Sequence, residues 1–194
     1  MHLLKHRSIR FYLVFFLILT MAIGGSAIAA FADSTTGATV AVNAGTLTEL
    51  GPASVSAPPV TLSGSDQTTT YSLGLTTTDA RGGGAGWNLT ITSTTFISGT
   101  HSLSTSASSI NVAPTVSCIS GTSASCTNPT NGVTYPLGVP AAATAPTAVK
   151  FFNAAANTGM GSFTITPTVT ISIPANTFTG SYTSTVSVAV VSGP

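Results

Sequence analysis

The chain has 194 residues, of which 43% are hydrophobic and only 5% are charged. This composition excludes an intrinsically disordered protein, because disordered chains combine low hydrophobicity with high charge. Binding to nucleic acids or anionic membranes through charge is also disfavoured, since Arg81 and Lys150 are the only basic residues after residue 10.

The first 32 residues are predicted to be a signal peptide. A basic segment at residues 2–10 precedes an apolar run of thirteen residues at 11–23, and Ala30-Phe31-Ala32 fits the small-x-small rule for cleavage, as does Ala27-Ile28-Ala29. An uncleaved anchor helix is the alternative, but the run falls short of the roughly 20 residues that cross a bilayer. Cleavage after Ala32 leaves 162 residues with a net charge of −2, a size typical of one domain.

Short alternating segments with turn residues between them recur along residues 33–194, which is typical of an all-β protein. In the first half, strands are predicted at residues 39–42, with a continuation at 46–50, and at residues 54–62, 68–78 and 87–96. Pro58 and Pro59 remove two ladder donors, so residues 54–62 are expected at a sheet edge or a bend. Residues 68–78 and 87–96 are expected to form an antiparallel pair joined by the glycine-rich loop 79–86.

The clearest strand is predicted at residues 161–173, where apolar side chains alternate with Ser and Thr and Pro167 indicates a bulge or bend. Weak strands are expected around Leu103 and at residues 110–112, and regular structure is expected to return at residues 148–152. A last strand is predicted at residues 181–191, with four side chains on one face: Tyr182, Val186, Val188 and Val190. Strands that are apolar on one face predict two packed sheets, an antiparallel β-sandwich of about seven to ten strands.

The two cysteines, Cys118 and Cys126, are eight residues apart. In an exported chain this spacing favours one disulfide, and two free buried thiols are the alternative. A zinc site is disfavoured, because two thiolates do not complete a tetrahedral shell and His101 is the only histidine after the signal peptide. No metal and no other cofactor is predicted.

No group of residues indicates an active site. A Ser–His–acid triad would have to use His101, and no Gly-x-Ser-x-Gly elbow surrounds any serine. The four acids after the signal peptide, Asp33, Glu49, Asp66 and Asp79, do not form the paired carboxylates of a glycosidase within an aromatic context. The glycines at 82–86 lead into a strand and so lack the helix N-terminus of a phosphate cradle. The sequence predicts a protein that is not an enzyme, and a secreted hydrolase is the weakest alternative.

A family resemblance lies in residues 79–89. Trp87-Asn88-Leu89 is a Trp-x-Leu tripeptide, and an Asp-Ala-Arg-Gly segment with further glycines precedes it in a Thr-rich, β-patterned chain. In these features, and in its terminal strand after Gly-Ser-Tyr, the chain resembles the WxL-domain family of surface proteins from Gram-positive and related bacteria over roughly residues 43–194. The resemblance implies a β-strand domain without catalytic activity that attaches non-covalently to the cell wall through peptidoglycan.

The chain departs from this family at one point. The family has a second Trp-x-Leu in its last strand, where this chain has Val186 and Val188, so half of the binding signature is absent. The resemblance makes Trp87, Leu89, Asp79 and Arg81 the candidate binding residues.

Two interpretations of Trp87 are open: a core aromatic between the sheets, or a partly exposed ring that stacks on a sugar. Asp79 and Arg81 are expected to pair and brace the loop rather than to contact a ligand. The predicted partners are cell-wall peptidoglycan or other surface proteins, and the predicted location is the cell surface. A second hypothesis, favoured by low charge and Thr/Ser-rich strands, is a structural subunit that polymerises into a surface fibre or layer.

Overall fold

The computed structural model describes residues 36–119 and 126–194, and the predicted signal peptide lies outside them. Residues Val42–Pro194 form one compact unit. The regular secondary structure of the described residues consists of strands alone. Neither described range contains a helix long and apolar enough to cross a membrane.

Fourteen strands follow one another in the described part of the chain. They are β1 (Leu47–Leu50), β2 (Gln67–Ser72), β3 (Leu75–Asp79), β4 (Trp87–Thr94), β5 (Ile97–Ser98), β6 (His101–Ser102), β7 (Ser108–Ile110), β8 (Thr115–Cys118), β9 (Leu137–Gly138), β10 (Ala141–Ala142), β11 (Val149–Ala154), β12 (Gly161–Thr166), β13 (Thr168–Ile173) and β14 (Val186–Ser192). The predicted all-β sandwich class is confirmed. The strand number exceeds the expected seven to ten because long segments are divided and four two-residue strands occur.

The described strands form three four-stranded sheets and one two-stranded ribbon. The first sheet has the order β1-β3-β12-β8 and the second the order β2-β13-β7-β9. In the third sheet β14 runs along one edge of β4, so that β11 and β10 share the other edge. All ladders are antiparallel except the short one between β10 and β4, and β5 pairs with β6.

Two predicted strands pass from one sheet into another. Residues 68–78 divide into β2 and β3 at Leu73-Gly74, and residues 161–173 divide into β12 and β13 at Pro167. The two interruptions face each other, because the Leu73 amide donates to the Pro167 carbonyl oxygen at 3.0 Å. Proline has no N–H to give to a ladder, so the paired segments bend together at this point. The bend predicted at Pro167 is confirmed.

Two predicted strands are wrong. Residues 39–42 are exposed and pair with no strand of the described chain. Residues 54–62 are not a strand either, because the adjacent prolines Pro58 and Pro59 have no amide hydrogens for a ladder. Side chains of β2 hold this segment instead: the Thr69 hydroxyl donates to the Pro58 carbonyl oxygen at 2.9 Å, and the Gln67 amide to the Thr61 carbonyl oxygen at 3.0 Å.

The predicted hairpin of residues 68–78 and 87–96 is also wrong. β3 lies between β1 and β12 in the first sheet, whereas β4 lies in the third sheet between β14 and β11. The loop at 79–86 therefore carries the chain from one sheet to another. Alternation fixes which side chains share a face, but it does not fix which strands are neighbours.

Among the described residues, seventeen buried apolar side chains form the core. Its largest fully buried members are Trp87, Phe151, Phe152 and Phe163. The predicted face of Tyr71, Leu73 and Leu75 is buried, and the predicted face of the last strand packs against the core in partly buried positions. Full burial of a Val, Leu, Ile, Phe or Met side chain stabilises a fold by roughly 1.5–3 kcal/mol.

Candidate functional site

Trp87 begins β4 and lies completely inside the protein, with 0% of its surface exposed. Its indole N–H donates to the Gly159 carbonyl oxygen at 2.9 Å, and its ring centroid lies 5.9 Å from that of Phe152. Both the apolar ring and its polar edge are thus occupied by protein groups. Of the two interpretations open from the sequence, the structure supports the core aromatic. The ring offers no surface on which a sugar could stack.

Gly159 makes this close packing of the indole possible. A Cβ atom there would lie 2.8 Å from the indole nitrogen of Trp87 and 2.5 Å from the Cβ of Ala154. The backbone φ of Gly159 is +69°, a conformation that residues other than glycine rarely adopt. The indole pocket therefore depends on a residue that lies 72 positions further along the chain.

Leu89 is the second fully buried residue of the Trp-x-Leu tripeptide. Its neighbours across the third sheet are Phe152 in β11 and Val190 in β14. Asn88 lies between the two buried residues and points outward, where its amide donates to the Gly193 carbonyl oxygen at 2.8 Å. The tripeptide thus fastens β4 to the core and to the end of the last strand.

Asp79 and Arg81 form the expected pair at the start of the glycine loop. The Asp79 side chain is 1% exposed and accepts two hydrogen bonds of 2.9 Å from the Arg81 guanidinium. The Arg81 backbone N–H adds a third at 3.1 Å. Side-chain hydrogen bonding to Arg81 lowers the pKa of Asp79, although burial opposes this change, and Asp79 raises the pKa of Arg81.

The guanidinium of Arg81 also closes the glycine loop. It donates to the Gly86 carbonyl oxygen at 2.8 Å and to the Ser192 hydroxyl in β14. The Gly193 amide donates to the same Gly86 carbonyl oxygen at 3.1 Å. A single planar cation with several donors thus joins β3, the loop and the last strand, which a lysine could not do.

We call residues 79–89 with Gly159 the Trp87 end of β4. The structure brings all four sequence-predicted residues together there. Trp87, Leu89 and Asp79 are buried, while the Arg81 side chain is 22% exposed. Contact of these residues with a wall polymer stays a prediction, and in this conformation Arg81 is the only one of the four with appreciable exposed surface.

An open groove lies beyond the opposite end of β4. Its volume is about 940 Å³, and its two walls are residues 55–62 and residues 177–184. Buried side chains of Tyr71, Leu103 and Ile171 form its floor, and Phe96 lines it two residues after β4 ends. None of the described residues that line it carries a charge. Burial raises the pKa of Tyr71 to about 12, so its hydroxyl remains protonated at neutral pH.

An exposed aromatic residue, Phe178, belongs to one wall of the groove. Its side chain is 62% exposed, and its ring is stacked on that of His101 with centroids 3.9 Å apart and planes inclined by 12°. The Tyr182 hydroxyl donates to the Phe178 carbonyl oxygen at 3.0 Å, which fixes the turn that carries the ring. Sequence reasoning missed this pair because the partners are far apart in the chain and follow no motif.

Outside the Asp79–Arg81 pair, the described residues include one disulfide and a second acid with a backbone partner. The predicted disulfide between Cys118 and Cys126 is present. Asp66 accepts a hydrogen bond of 2.8 Å from the Ala175 amide, far from the Asp79 pair in sequence. No three His, Cys, Asp or Glu residues within 36–119 and 126–194 are grouped as metal ligands.

Glu49 is the least satisfied of the acids. It faces Thr77 across the β1–β3 ladder, and burial raises its pKa. One of its carboxyl oxygens and the Thr77 hydroxyl are buried without a hydrogen-bond partner among the described residues. An isolated carboxyl group of this kind is a local cost to stability rather than part of a catalytic pair.

Comparison with known protein families gives one match. The model of the WxL domain, described as surface cell wall-binding, matches residues 33–193. The matched region contains all fourteen strands, both ends of β4 and the whole groove. No curated protein and no solved structure matches the chain.

Proposed function

The chain belongs to the WxL domain family of surface cell wall-binding proteins, and we propose that it is exported, attaches non-covalently to wall peptidoglycan and catalyses no reaction. The observation that carries the proposal is the family match over residues 33–193. Membership in a cell wall-binding family supports a location at the cell surface.

The arrangement of ionisable groups supports a binding role rather than catalysis. Asp79 is fully engaged by Arg81, and Asp66 accepts a backbone N–H in another part of the fold. Glu49 faces a threonine and not a second acid. General acid–base chemistry on a glycan needs two carboxyl groups on either side of one bond.

The low charge supports attachment through apolar and hydroxyl contacts. Residues 33–194 contain two basic and four acidic residues. Such a surface has little attraction for anionic polymers, and its binding should depend weakly on salt. We therefore expect nearly equal attachment to purified walls at low and at molar salt.

Sedimentation of residues 33–194 with purified cell walls tests the proposal. We expect the protein in the pellet at both salt concentrations, and release of reducing sugar no greater than in a protein-free control. Protein that stays in the supernatant with intact walls would contradict wall attachment. Steady release of soluble wall fragments would contradict the absence of catalysis.

One further observation supports the second hypothesis, that the chain is a structural subunit that polymerises into a surface fibre or layer. β1 and β8 are the edge strands of the first sheet, and an exposed apolar side chain lies at each edge: Leu50, 73% exposed, in β1, and Ile119, 41% exposed, directly after β8. Edge strands with exposed apolar side chains are able to pair with a second copy. Sedimentation equilibrium up to millimolar concentration distinguishes the two functions, because a wall-binding monomer stays monomeric and a fibre subunit does not.

A further inference from the structure

We propose that the groove is a glycan-binding site, in which an extended, uncharged sugar chain lies between the two walls and one ring stacks on Phe178. The inference rests on the proposed function and deepens it, since it names the surface that meets the wall and the chemical class of its ligand. It moves the contact with sugar from Trp87, which is buried, to an aromatic ring at the opposite end of β4.

Phe178 has the properties of a platform for a sugar ring. Its side chain is 62% exposed and lines the groove, so the ring is accessible to a ligand there. His101 covers one face of the ring at 3.9 Å, which leaves the opposite face open. The ring is therefore held in place before a ligand arrives, and the cost of ordering it on binding is small.

The turn that carries Phe178 is fixed by close contacts. A Cβ atom on Gly180 would lie 3.2 Å from the Cβ of Ser98, so glycine allows the turn to approach the β5–β6 ribbon that contains His101. The Thr177 amide donates to the Pro174 carbonyl oxygen at 3.0 Å, and Tyr182 donates to Phe178 as described above. These contacts position the aromatic stack at the rim of the groove.

The chemistry of the groove matches that of an uncharged sugar. Sugar rings present apolar C–H faces and hydroxyl edges, and the groove combines aromatic rings with Thr and Ser hydroxyls. Tyr71 offers a protonated hydroxyl in the floor, and Thr177 and Thr179 offer hydroxyls beside Phe178. No lining residue supplies the positive charge that an anionic wall polymer or a nucleic acid would need.

A peptide strand or a second copy of the chain fits the groove less well. Strand addition requires free backbone groups along an edge. Pro58 and Pro59 have no N–H on one wall. On the other wall both backbone groups of Thr183 are already bonded to Ile97, at 2.9 and 3.0 Å. At these positions the walls offer side-chain rings and hydroxyls rather than free backbone groups, which favours a glycan over a peptide strand.

The test compares wild type, Phe178→Ala and the control Val112→Ala, whose side chain is exposed outside the groove. Each is titrated against purified walls by sedimentation and against a soluble N-acetylglucosamine hexamer by calorimetry. We expect Phe178→Ala to weaken both interactions about tenfold, in line with the strength of aromatic contacts. Val112→Ala should remain within about twofold of wild type in the same assays.

Two further variants keep the test decisive. Phe178→Trp retains an aromatic face and should bind at least as well as wild type. Phe178→Leu retains apolar bulk without a flat ring, and its binding should also be about tenfold weaker than that of wild type. This variant replaces Phe178→Ala in the comparison if the alanine variant fails to fold. Unchanged circular dichroism and melting temperature establish that a variant is folded.

The outcomes separate this inference from the proposed function. Wild type and Phe178→Ala binding walls equally would overturn the groove as the site and leave wall attachment standing. Absence of wild-type binding to walls, with hexamer binding that still depends on Phe178, would contradict wall attachment and support the glycan site. Binding of a wall stem peptide but not the hexamer, or self-association that Phe178→Ala abolishes, would overturn the glycan in favour of a peptide or a second copy.

Discussion

The two ends of β4 differ in what their side chains do. At the Trp87 end, the indole N–H, the Asp79 carboxylate and the Arg81 guanidinium all have protein partners, and little surface remains. At the other end, Phe178 is exposed beside a groove with an apolar floor. The most distinctive motif of the sequence therefore marks the place where the fold is held together. The surface that is free to meet a ligand carries no motif.

The difference follows from what each end has to join. The Trp87 end connects β3, a glycine loop, β11 and β14, so its polar groups must satisfy one another across a chain crossing. The groove lies where two irregular walls meet, and neither wall is a ladder strand over residues 55–62 or 177–184. Side-chain hydrogen bonds attach the first wall to β2, and the Tyr182 hydroxyl fixes the turn in the second wall.

The largest effect is expected for Trp87→Ala. Removing a fully buried indole leaves a cavity and an unpaired Gly159 carbonyl, so the free energy of unfolding should fall by about 3–5 kcal/mol. Urea titration measures the loss, with Phe178→Ala as the exposed aromatic control, expected to lose less than about 1 kcal/mol. A variant that remains as stable as wild type but no longer pellets with walls would show that Trp87 acts in binding and not in the core.

The next largest loss of stability is expected for Asp79→Asn. The change leaves the Arg81 guanidinium without its charged partner and weakens three hydrogen bonds, so unfolding should become easier by about 2 kcal/mol. Differential scanning calorimetry measures the fall in melting temperature. Asp66→Asn, which removes a charge at a single exposed backbone contact, is the matched control. Equal losses in the two variants would contradict a special bracing role for Asp79.

The sequence specified the residues of the Trp87 end better than the strands that surround them. Trp87, Leu89 and Ile91 on one face, and the pairing of Asp79 with Arg81, follow from local spacing and were predicted. The placement of β3 and β4 in different sheets was not, because strand order depends on contacts such as Phe163 with Thr77 that lie far apart in the chain. Local periodicity carries no information about such neighbours.

The groove was beyond sequence reasoning for the same reason. His101 and Phe178 form a stack only after β5, β6 and the turn before Tyr182 have met. The segment at 54–62 was assigned to a strand, although its prolines were the signal that it would form an irregular wall. An aromatic residue inside a turn, as at Phe178, was the one local sign of an exposed ring.

Acid should weaken the Trp87 end specifically. The pKa of Asp79 is below its ordinary value of 3.8 in the folded protein, so its contribution to stability is complete above about pH 5 and is lost as pH falls through the folded pKa. The stability difference between wild type and Asp79→Asn should thus shrink below about pH 4. Urea titrations at pH 7, 5, 4 and 3 measure this difference. A gap that stays constant to pH 3 would contradict the charged pairing.

The smallest effect, with the opposite sign, is expected at Glu49. Burial raises its pKa above the ordinary value of 4.5, so the folded state binds the proton more tightly than the unfolded chain. Its ionisation therefore destabilises the fold at neutral pH, and this cost disappears as pH falls towards 4.5. Glu49→Gln supplies a neutral amide opposite Thr77 and should stabilise the protein at pH 7 by less than about 1 kcal/mol, with no gain at pH 4. Calorimetry at the two pH values measures this change in stability. Glu49→Ala separates the loss of charge from the loss of packing. Destabilisation by Glu49→Gln at pH 7 would mean that the carboxylate has a partner that the neutral side chain cannot keep.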